Sequence, residues 1–279
     1  MVTAAVSGGA DSLALLVLAV AAGLDVTAVH VDHGLRSGSA AEADVVRDAA
    51  AGLGARFEAR RVDVAPGPNL EARARAARRD VLPSGAMTGH TADDQAETLL
   101  LHLLRGAGPD GLRGMRPGSC KPLLALRRAE THAVCLVSGL DPVVDPSNVD
   151  PAFRRNRVRH EVLPLLDEVA GRDVVPLLTR TATLAGEEAD LLDAQAARLD
   201  PLDAGALAAA PVPLARRALR RWLTEADPPY PPDAATLERV LVVARGERVA
   251  ADVGGGLRVA RTGGRLRLER AGPEGPHEG

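Results

Sequence analysis

Aromatic residues make up only 1% of the chain: Phe57, Phe153, Trp222 and Tyr230 are all there are. Stacking nucleic-acid bases takes a platform of such rings, so no argument for nucleic-acid binding can rest on stacking, and we read the scarcity itself as compositional bias. Two cysteines, Cys120 and Cys135, are too few for a secreted disulfide framework, and their spacing fits no C-x-x-C zinc or redox pair. A reducing cytoplasm suits them. Lysine occurs once, at Lys121, in a chain that otherwise uses arginine, which we read as compositional bias. Net charge is nearly absent as well, −3 from 37 acidic and 34 basic residues. Affinity for a polyanion must therefore come from local basic patches. The longest apolar run, Ser12 to Leu24, lies between Asp11 and Asp25 and falls short of the about 20 residues a membrane span needs. The start also lacks the basic, uninterrupted pattern of a signal peptide.

What is present is length and apolar content, 279 residues at 46% hydrophobic, enough for one large domain or two modest ones. The first third alternates short apolar runs with helical patterns, as the βα units of a parallel sheet do. Strands are expected at Val2–Val6, Val26–Val31, Arg56–Val64 and Ala86–Gly89, with a further one at Ala133–Val137. Helices are expected over Asp11–Ala22, Ala40–Leu53, Leu70–Leu82 and Ala92–Arg105. Glycine and proline between Gly106 and Pro122 predict a loop, of a length that often covers an active site. From Asp167 the pattern turns to Ala/Leu-rich helices as far as Ala226, and Pro228 to Pro232 mark a break. Around Gly254–Gly256 and Gly263–Gly264 the stretch Val249–Arg270 reads as a hairpin. The expected fold is α/β, a doubly wound parallel sheet with an N-terminal pyrophosphate loop over 1–166. A smaller C-terminal module over 167–279 follows, helical to about 226 and then a β-hairpin.

The sharpest local signal is Ser7-Gly8-Gly9-Ala10-Asp11-Ser12, set between a strand and a helix start. Paired glycines let backbone turn tightly and approach a ligand, and the amides that open a helix bind phosphate oxygens. Ser7 and Ser12 add hydroxyls. Asp11 is out of place for anion binding alone, but a Mg²⁺ held between the carboxylate and phosphates resolves the conflict. The loop is neither a G-K-[ST] phosphate loop nor a G-x-G-x-x-G dinucleotide turn.

Three more segments follow strands. His30-Val31-Asp32-His33-Gly34-Leu35-Arg36 has two histidines and an aspartate but lacks strict zinc-ligand spacing and a further partner, which favours a loop facing a nucleotide. Gly89-His90-Thr91-Ala92-Asp93-Asp94-Gln95-Ala96-Glu97 opens a helix with Thr91 as its N-cap. Asp93 and Asp94 in the first turn suit the helix dipole. Glu97, one turn on, crowds a third acid onto that face, an arrangement that calls for a cation such as a substrate ammonium or Mg²⁺. Asp145-Pro146-Ser147-Asn148 precedes Arg154-Arg155-Asn156-Arg157-Val158-Arg159-His160, four arginines without an acid. Beside a phosphate loop they read as binders of pyrophosphate or RNA phosphates, and otherwise as a solvated helix face.

The hexapeptide resembles the pyrophosphate loop of ATP pyrophosphatases. Together with His30–Arg36, Gly89–Thr98, Gly106–Met115, Lys121-Pro122-Leu123-Leu124 and Asp145–Pro164, in that order, the first 165 or so residues resemble the tRNA(Ile)-lysidine synthetases. That resemblance implies ATP as substrate, Mg²⁺, free L-lysine and a tRNA(Ile) with the CAU anticodon. The wobble cytidine would be adenylated at its C2 oxygen, and lysine would then displace AMP. It implies ATP contacts from Ser7, Gly8, Gly9, Ala10, Asp11, Ser12, His33 and Arg36, with Asp11 at the metal. Asp94 and Glu97 would hold lysine, and Asp93 would share their acidic face. His90 and Arg113 would stand at the reacting centre or the RNA base. Lys121, Arg155 and Arg159 would meet phosphates. Arg216, Arg217, Arg220 and Arg221 form a second stripe for the tRNA body, or else an ordinary exposed helix face. Two departures stand out: the first strand begins at Met1, where the family carries a longer lead, and Lys121 replaces a frequent arginine and loses its fork. The alternatives are a tRNA thiolase, for which the cysteines are wrongly spaced, and an ATP-binding module without catalysis.

Overall fold

The computed structural model describes residues 1–32, 39–62, 73, 76–77, 80–226 and 232–270. The chain forms two compact units, Met1–Gly186 and Glu187–Gly279.

In the first unit, β1 (Val2–Ala5), β2 (Val26–Asp32), β3 (Arg56–Arg61) and β4 (Met87–Thr88) make one parallel sheet in the order β3-β2-β1-β4. The order reverses between β1 and β4, and a doubly wound sheet opens its ligand crevice at the carboxyl ends of such a pair. Helix α1 (Ala10–Ala21) is apolar on nearly every side, and accordingly Leu13, Leu15 and Leu16 are buried with Ala4, Val26 and Ala28 of the sheet. Helix α2 is Ser39–Gly52 and α3 is Ala92–Leu104. The expected helix over 70–82 falls largely outside the described residues. The glycine-rich loop after α3 contains a single helical turn, α4 (Pro109–Leu112).

The strand expected at Ala133–Val137 is instead the second half of helix α5 (Arg128–Val137). That short apolar stretch reads as strand-like by itself, but Thr131 and Cys135, four apart, are the buried pair, and Cys135 packs into the core around α1. A helix satisfies that spacing. Glu130 also caps its start by accepting the Arg127 N–H at 2.7 Å.

A 3₁₀ turn (Pro146–Val149) then leads to a continuous helical run: α6 (Arg154–Arg157), a π-helical segment (Val158–Val162) and α7 (Leu163–Ala170). The widened turn shows in the Leu163 amide donating to the carbonyl of Val158. It sits where Pro164 removes a donor and crowds the preceding turn. Helix α8 is Val175–Ala196.

The second unit adds α9 (Ala204–Ala209), α10 (Val212–Ala226), α11 (Ala234–Arg245) and an antiparallel sheet of β5 (Ala250–Gly254), β6 (Leu257–Thr262) and β7 (Arg265–Arg270). The hairpin expectation is thus one strand short, because each of the two glycine clusters makes its own turn. Helix α11 has no counterpart among the expectations. The prolines before it lead to Asp233, whose carboxylate caps the helix by accepting the Thr236 N–H at 2.7 Å. Leu219, Leu237, Leu241, Val259 and Leu266 form this unit's own core. Among the described residues, no helix is long and apolar enough to cross a membrane.

Candidate active site at the sheet switch point

The loop after β1 is held open by its own residues. Gly8 has φ +87°, and its carbonyl accepts the Val143 N–H at 3.0 Å. Ser12 faces inward: its Oγ accepts the Ser7 N–H at 3.1 Å and donates to the Gly9 carbonyl at 2.8 Å. It acts as the brace of the turn, while Ser7 is exposed. Gly9 precedes α1, and Ala10 and Asp11 are the first residues of that helix, so their amides have no intrahelical partner and are oriented for an anion.

His30 lies beneath this loop. It is 2% exposed, its Nδ1 meets the Val6 carbonyl at 3.0 Å, and its Nε2 is buried without a hydrogen-bond partner among the described residues. His33 and Arg36 lie outside the described residues. Among those described, no group of three or more His, Cys, Asp or Glu side chains is placed to hold a metal.

Across the switch point, the β4–α3 connection passes over the start of α1. Asp94, in the first turn of α3, reaches back to accept the Thr91 N–H at 2.9 Å and its hydroxyl at 3.0 Å. Its other oxygen meets Arg128 Nη2 at 3.2 Å and Arg155 Nη2 at 3.1 Å. Glu97 is 0% exposed. Its Oε1 accepts from Arg128 Nη2 at 3.2 Å and Arg159 Nε at 2.7 Å, and its Oε2 from Arg155 Nε at 2.6 Å and Arg159 Nη2 at 3.2 Å. The cation that three crowded acids call for is thus supplied by the chain's own arginines. Arg155 and Arg159, expected at phosphates, are directed onto Glu97.

Asp93 turns away from this cluster. Arg127 grips it with two nitrogens at 3.1 Å each, and the Arg128 N–H donates to it at 2.7 Å. Asp11 receives a hydrogen bond from the Thr131 hydroxyl, and its second oxygen is 3.6 Å from Arg128 Nε. Burial raises the Asp11 pKa above its ordinary value, with Thr131 and Arg128 opposing the shift. For Asp94, burial acts in the same direction but Arg155 and Arg128 outweigh it, so that carboxyl stays below the ordinary value. Asp93 also lies low, because the bonds from Arg127 and the Arg128 amide overcome its burial.

His90 Nδ1 meets the Thr88 hydroxyl at 2.8 Å, at the end of β4. Lys121 closes a turn there by donating its N–H to the Gly118 carbonyl at 2.9 Å, and the neighbouring Cys120 carbonyl accepts the Thr88 N–H at 2.9 Å. Arg113 is tethered through its backbone: Gln95 Nε2 donates to the carbonyls of Arg113 at 3.3 Å and Met115 at 3.0 Å, and Gln95 Oε1 accepts the Met115 N–H at 2.7 Å. Gln95, Arg127, Arg128 and Thr131 were all missed at the sequence level. No local pattern announced them, since the partners that place them in the site lie 18 to 120 residues away.

Comparison with known proteins bears on what this arrangement serves. Residues 1–166 match the PP-loop domain family, and residues 202–270 match the TilS substrate binding domain. A tRNA(Ile)-lysidine synthase of Rhodococcus erythropolis is 42% identical over 278 residues, spanning 93% of this chain and 85% of the relative. One from Mycolicibacterium paratuberculosis is 49% identical over 237 residues, spanning 78% and 73%. The chain belongs to the tRNA(Ile)-lysidine synthase family. A further lysidine synthase, from Nocardia farcinica, is 44% identical over 273 residues, 91% of this chain and 86% of its own. Among solved structures, the U34-tRNA thiolase NcsA of Methanococcus maripaludis, with its 4Fe–4S cluster, aligns at a TM-score of 0.51 and 16% identity over 67% of this chain and 71% of that one. That likeness is one of fold. Cys120 and Cys135 are both free thiols here.

In this lysidine synthase family member, the basic stripe of α10 divides. Arg217 is mostly covered and pairs with Asp193 at 2.6 Å, and Arg216 pairs with Glu238, whereas Arg221 is exposed. The arginine run of α6 divides in the same manner: Arg157 pairs with Glu161 at 2.8 Å on the outside, while Arg155 and Arg159 face in.

Proposed function

We propose that the protein joins free L-lysine to C2 of the wobble cytidine in a tRNA(Ile) bearing the CAU anticodon, consuming ATP and releasing AMP and pyrophosphate. The observation that carries this reading is a continuous chain of side chains from loop to acids. Arg128 lies 3.6 Å from Asp11 at the phosphate loop and 3.2 Å from both Asp94 and Glu97. A site for phosphates and a site for a cationic amine thus share one crevice, as a reaction between an adenylate and an amine requires.

In the first step the C2 oxygen of cytidine attacks the α-phosphorus, the bond to the bridging oxygen of the β-phosphate breaks, and pyrophosphate leaves. In the second the lysine amine, having lost its proton, attacks C2 and the C2–O bond breaks to release AMP. The amides opening α1 cradle the pyrophosphate and stabilise charge developing on the leaving group. Asp94 and Glu97 hold the amine substrate. His90 would stand at the reacting centre or the RNA base, and Lys121 would meet a phosphate. Asp11 fits as a Mg²⁺ ligand shared with the phosphates, because among the described residues its Oδ2 has a distant contact to Arg128, at 3.6 Å, and Mg²⁺ needs one or two carboxylates when phosphates complete its shell. Bound there, the ion would neutralise phosphate charge.

We assign catalysis to residues 1–166 and tRNA binding to 167–279, with Arg221 as an RNA contact, and a cytoplasmic location. The test is transfer of labelled lysine to RNA by purified protein with ATP and Mg²⁺. Label confined to the CAU-bearing tRNA(Ile), and lost when the wobble cytidine is replaced, is the expected result. Folded protein that binds ATP and transfers no label overturns the proposal.

A further inference from the structure

Within the acidic cluster each carboxylate is already paired with a guanidinium. Asp11, Asp94 and Glu97 face Arg128, Arg155 and Arg159, three carboxylates against three guanidiniums. An incoming ammonium would therefore find its acids already paired, and one guanidinium has to give way. The three are not held alike. Arg155 places Nε on Glu97 at 2.6 Å and Nη2 on Asp94 at 3.1 Å, and Arg159 places Nε and Nη2 on Glu97 at 2.7 and 3.2 Å. Arg159 forks onto one carboxylate with two nitrogens, the strong form of the contact, and Arg155 bridges the two acids with a separate nitrogen on each. Arg128 offers one nitrogen only: its Nη2 lies 3.2 Å from Asp94 Oδ1 and 3.2 Å from Glu97 Oε1. A single nitrogen equidistant from two carboxylates is the geometry a primary ammonium would adopt. The backbone of Arg128 is fixed, since its N–H is bound to Asp93 at 2.7 Å, but its side chain has a second acid within reach, Asp11 at the phosphate loop.

We infer that Arg128 is a placeholder for the substrate ammonium. Its Nη2, between Asp94 Oδ1 and Glu97 Oε1, occupies the position the amine would take. When lysine enters, the guanidinium moves off Asp94 and Glu97 toward Asp11 and the phosphates, so that positive charge reaches the nucleotide as the amine is seated. Arg128 thereby couples the two substrates: phosphates that draw it away free the amine site, and lysine that displaces it sends a charge to the phosphates, a linkage that must be reciprocal. This rests on the lysine-ligating activity proposed above.

The test is lysine binding by equilibrium dialysis without nucleotide, on wild-type protein and on Arg128→Gln. Removing the competitor should tighten lysine binding about tenfold, within the usual range for such coupling. A non-hydrolysable ATP analogue should then tighten binding to the wild type and leave the variant unchanged. Arg128→Lys, which restores a cation, should return affinity toward wild type. A merely structural arginine predicts the opposite, weaker binding in Arg128→Gln. If that variant does not fold, Arg128→Met keeps the stem and is read in the same way. Wild-type protein that transfers lysine to tRNA, paired with a folded variant that binds lysine no tighter, overturns the placeholder alone. Wild-type protein that transfers none overturns the activity and the placeholder with it.

Discussion

Gly89 approaches the start of α1 so closely that a Cβ on it would stand 2.5 Å from the Asp11 carbonyl oxygen and 2.7 Å from the carbonyl carbon. The two segments expected from sequence to build one site are thus in backbone contact, at a position only glycine can fill. Gly89→Ala should push the β4–α3 connection off the phosphate loop. We expect a loss of about 1–3 kcal/mol in stability and a raised KM for ATP. Urea unfolding and steady-state kinetics check both; a variant indistinguishable from wild type in each would contradict the contact.

Glu97 is enclosed by Arg128, Arg155 and Arg159, so removing its charge leaves buried guanidiniums short of a partner. Glu97→Gln should cost about 3–5 kcal/mol, read from chemical denaturation, and should also abolish lysine transfer. A variant as stable as wild type would show that the network is not held together by this acid.

The acids should respond to pH in opposite directions. Asp93 and Asp94 have folded pKa values below the ordinary 3.8. Their contribution to stability is in place above that value and is lost as pH falls through the lower folded values. The Asp11 pKa is raised above 3.8, so its ionisation opposes folding, a penalty absent below 3.8 and complete above the folded value. Asp94→Asn should lower stability at neutral pH and flatten the acid limb. Asp11→Asn should raise the melting temperature at neutral pH, with the gain shrinking as pH is lowered toward 3.8. Melting curves across that range decide; an Asp11→Asn protein that melts below wild type at neutral pH would reverse the sign.

Gln95 ties the glycine-rich loop to α3 by three hydrogen bonds, and Gly114, at φ +55°, leaves room for it: a Cβ there would lie 2.6 Å from Gln95 Oε1. Gln95→Leu strands those loop groups, and we expect about 1–3 kcal/mol of destabilisation. Trypsin should then cut faster after Arg113 or Arg116, and unchanged cleavage there would count against the tether.

Arg217 and Arg221 lie one turn apart on α10 but differ in surroundings. Arg217→Ala, which breaks the pair with Asp193, should lower the melting temperature. Arg221→Ala should leave stability alone, weaken tRNA binding across sequences and reduce the salt slope by about 1. Filter binding at several salt concentrations separates the two, and an Arg221→Ala slope equal to wild type removes Arg221 from the RNA contacts.

The sheet and its loop were legible because each signal lies within a few residues: a strand, paired glycines, an apolar helix. Strands β1 and β2 follow apolar runs, whereas β3 (Arg56–Arg61) is mostly charged and exposed, and the strand order placed Ser7–Ser12 and Gly89–Glu97 together as expected. What the sequence hid is non-local. Glu97 announced the need for a cation, but Arg128, Arg155 and Arg159 lie 31, 58 and 62 residues away, and only the fold shows that they meet it. Ala133–Val137, short and apolar, reads as strand-like by itself, and only the four-residue spacing of buried Thr131 and Cys135 marks it as helix. Other signals were available and unused: Pro164 marks the π segment, Asp233 the start of α11, and two glycine clusters imply three strands.

The two-residue strand β4 closes one side of the parallel sheet. Open sheet edges invite strands from other molecules, and short edges with occupied donors refuse them. With the Thr88 amide bound to Cys120, that margin presents almost no free ladder to a neighbour. Cys120 therefore guards this margin against intermolecular pairing through the same Thr88 whose hydroxyl holds His90, so one short stretch of chain serves both the site and the sheet edge.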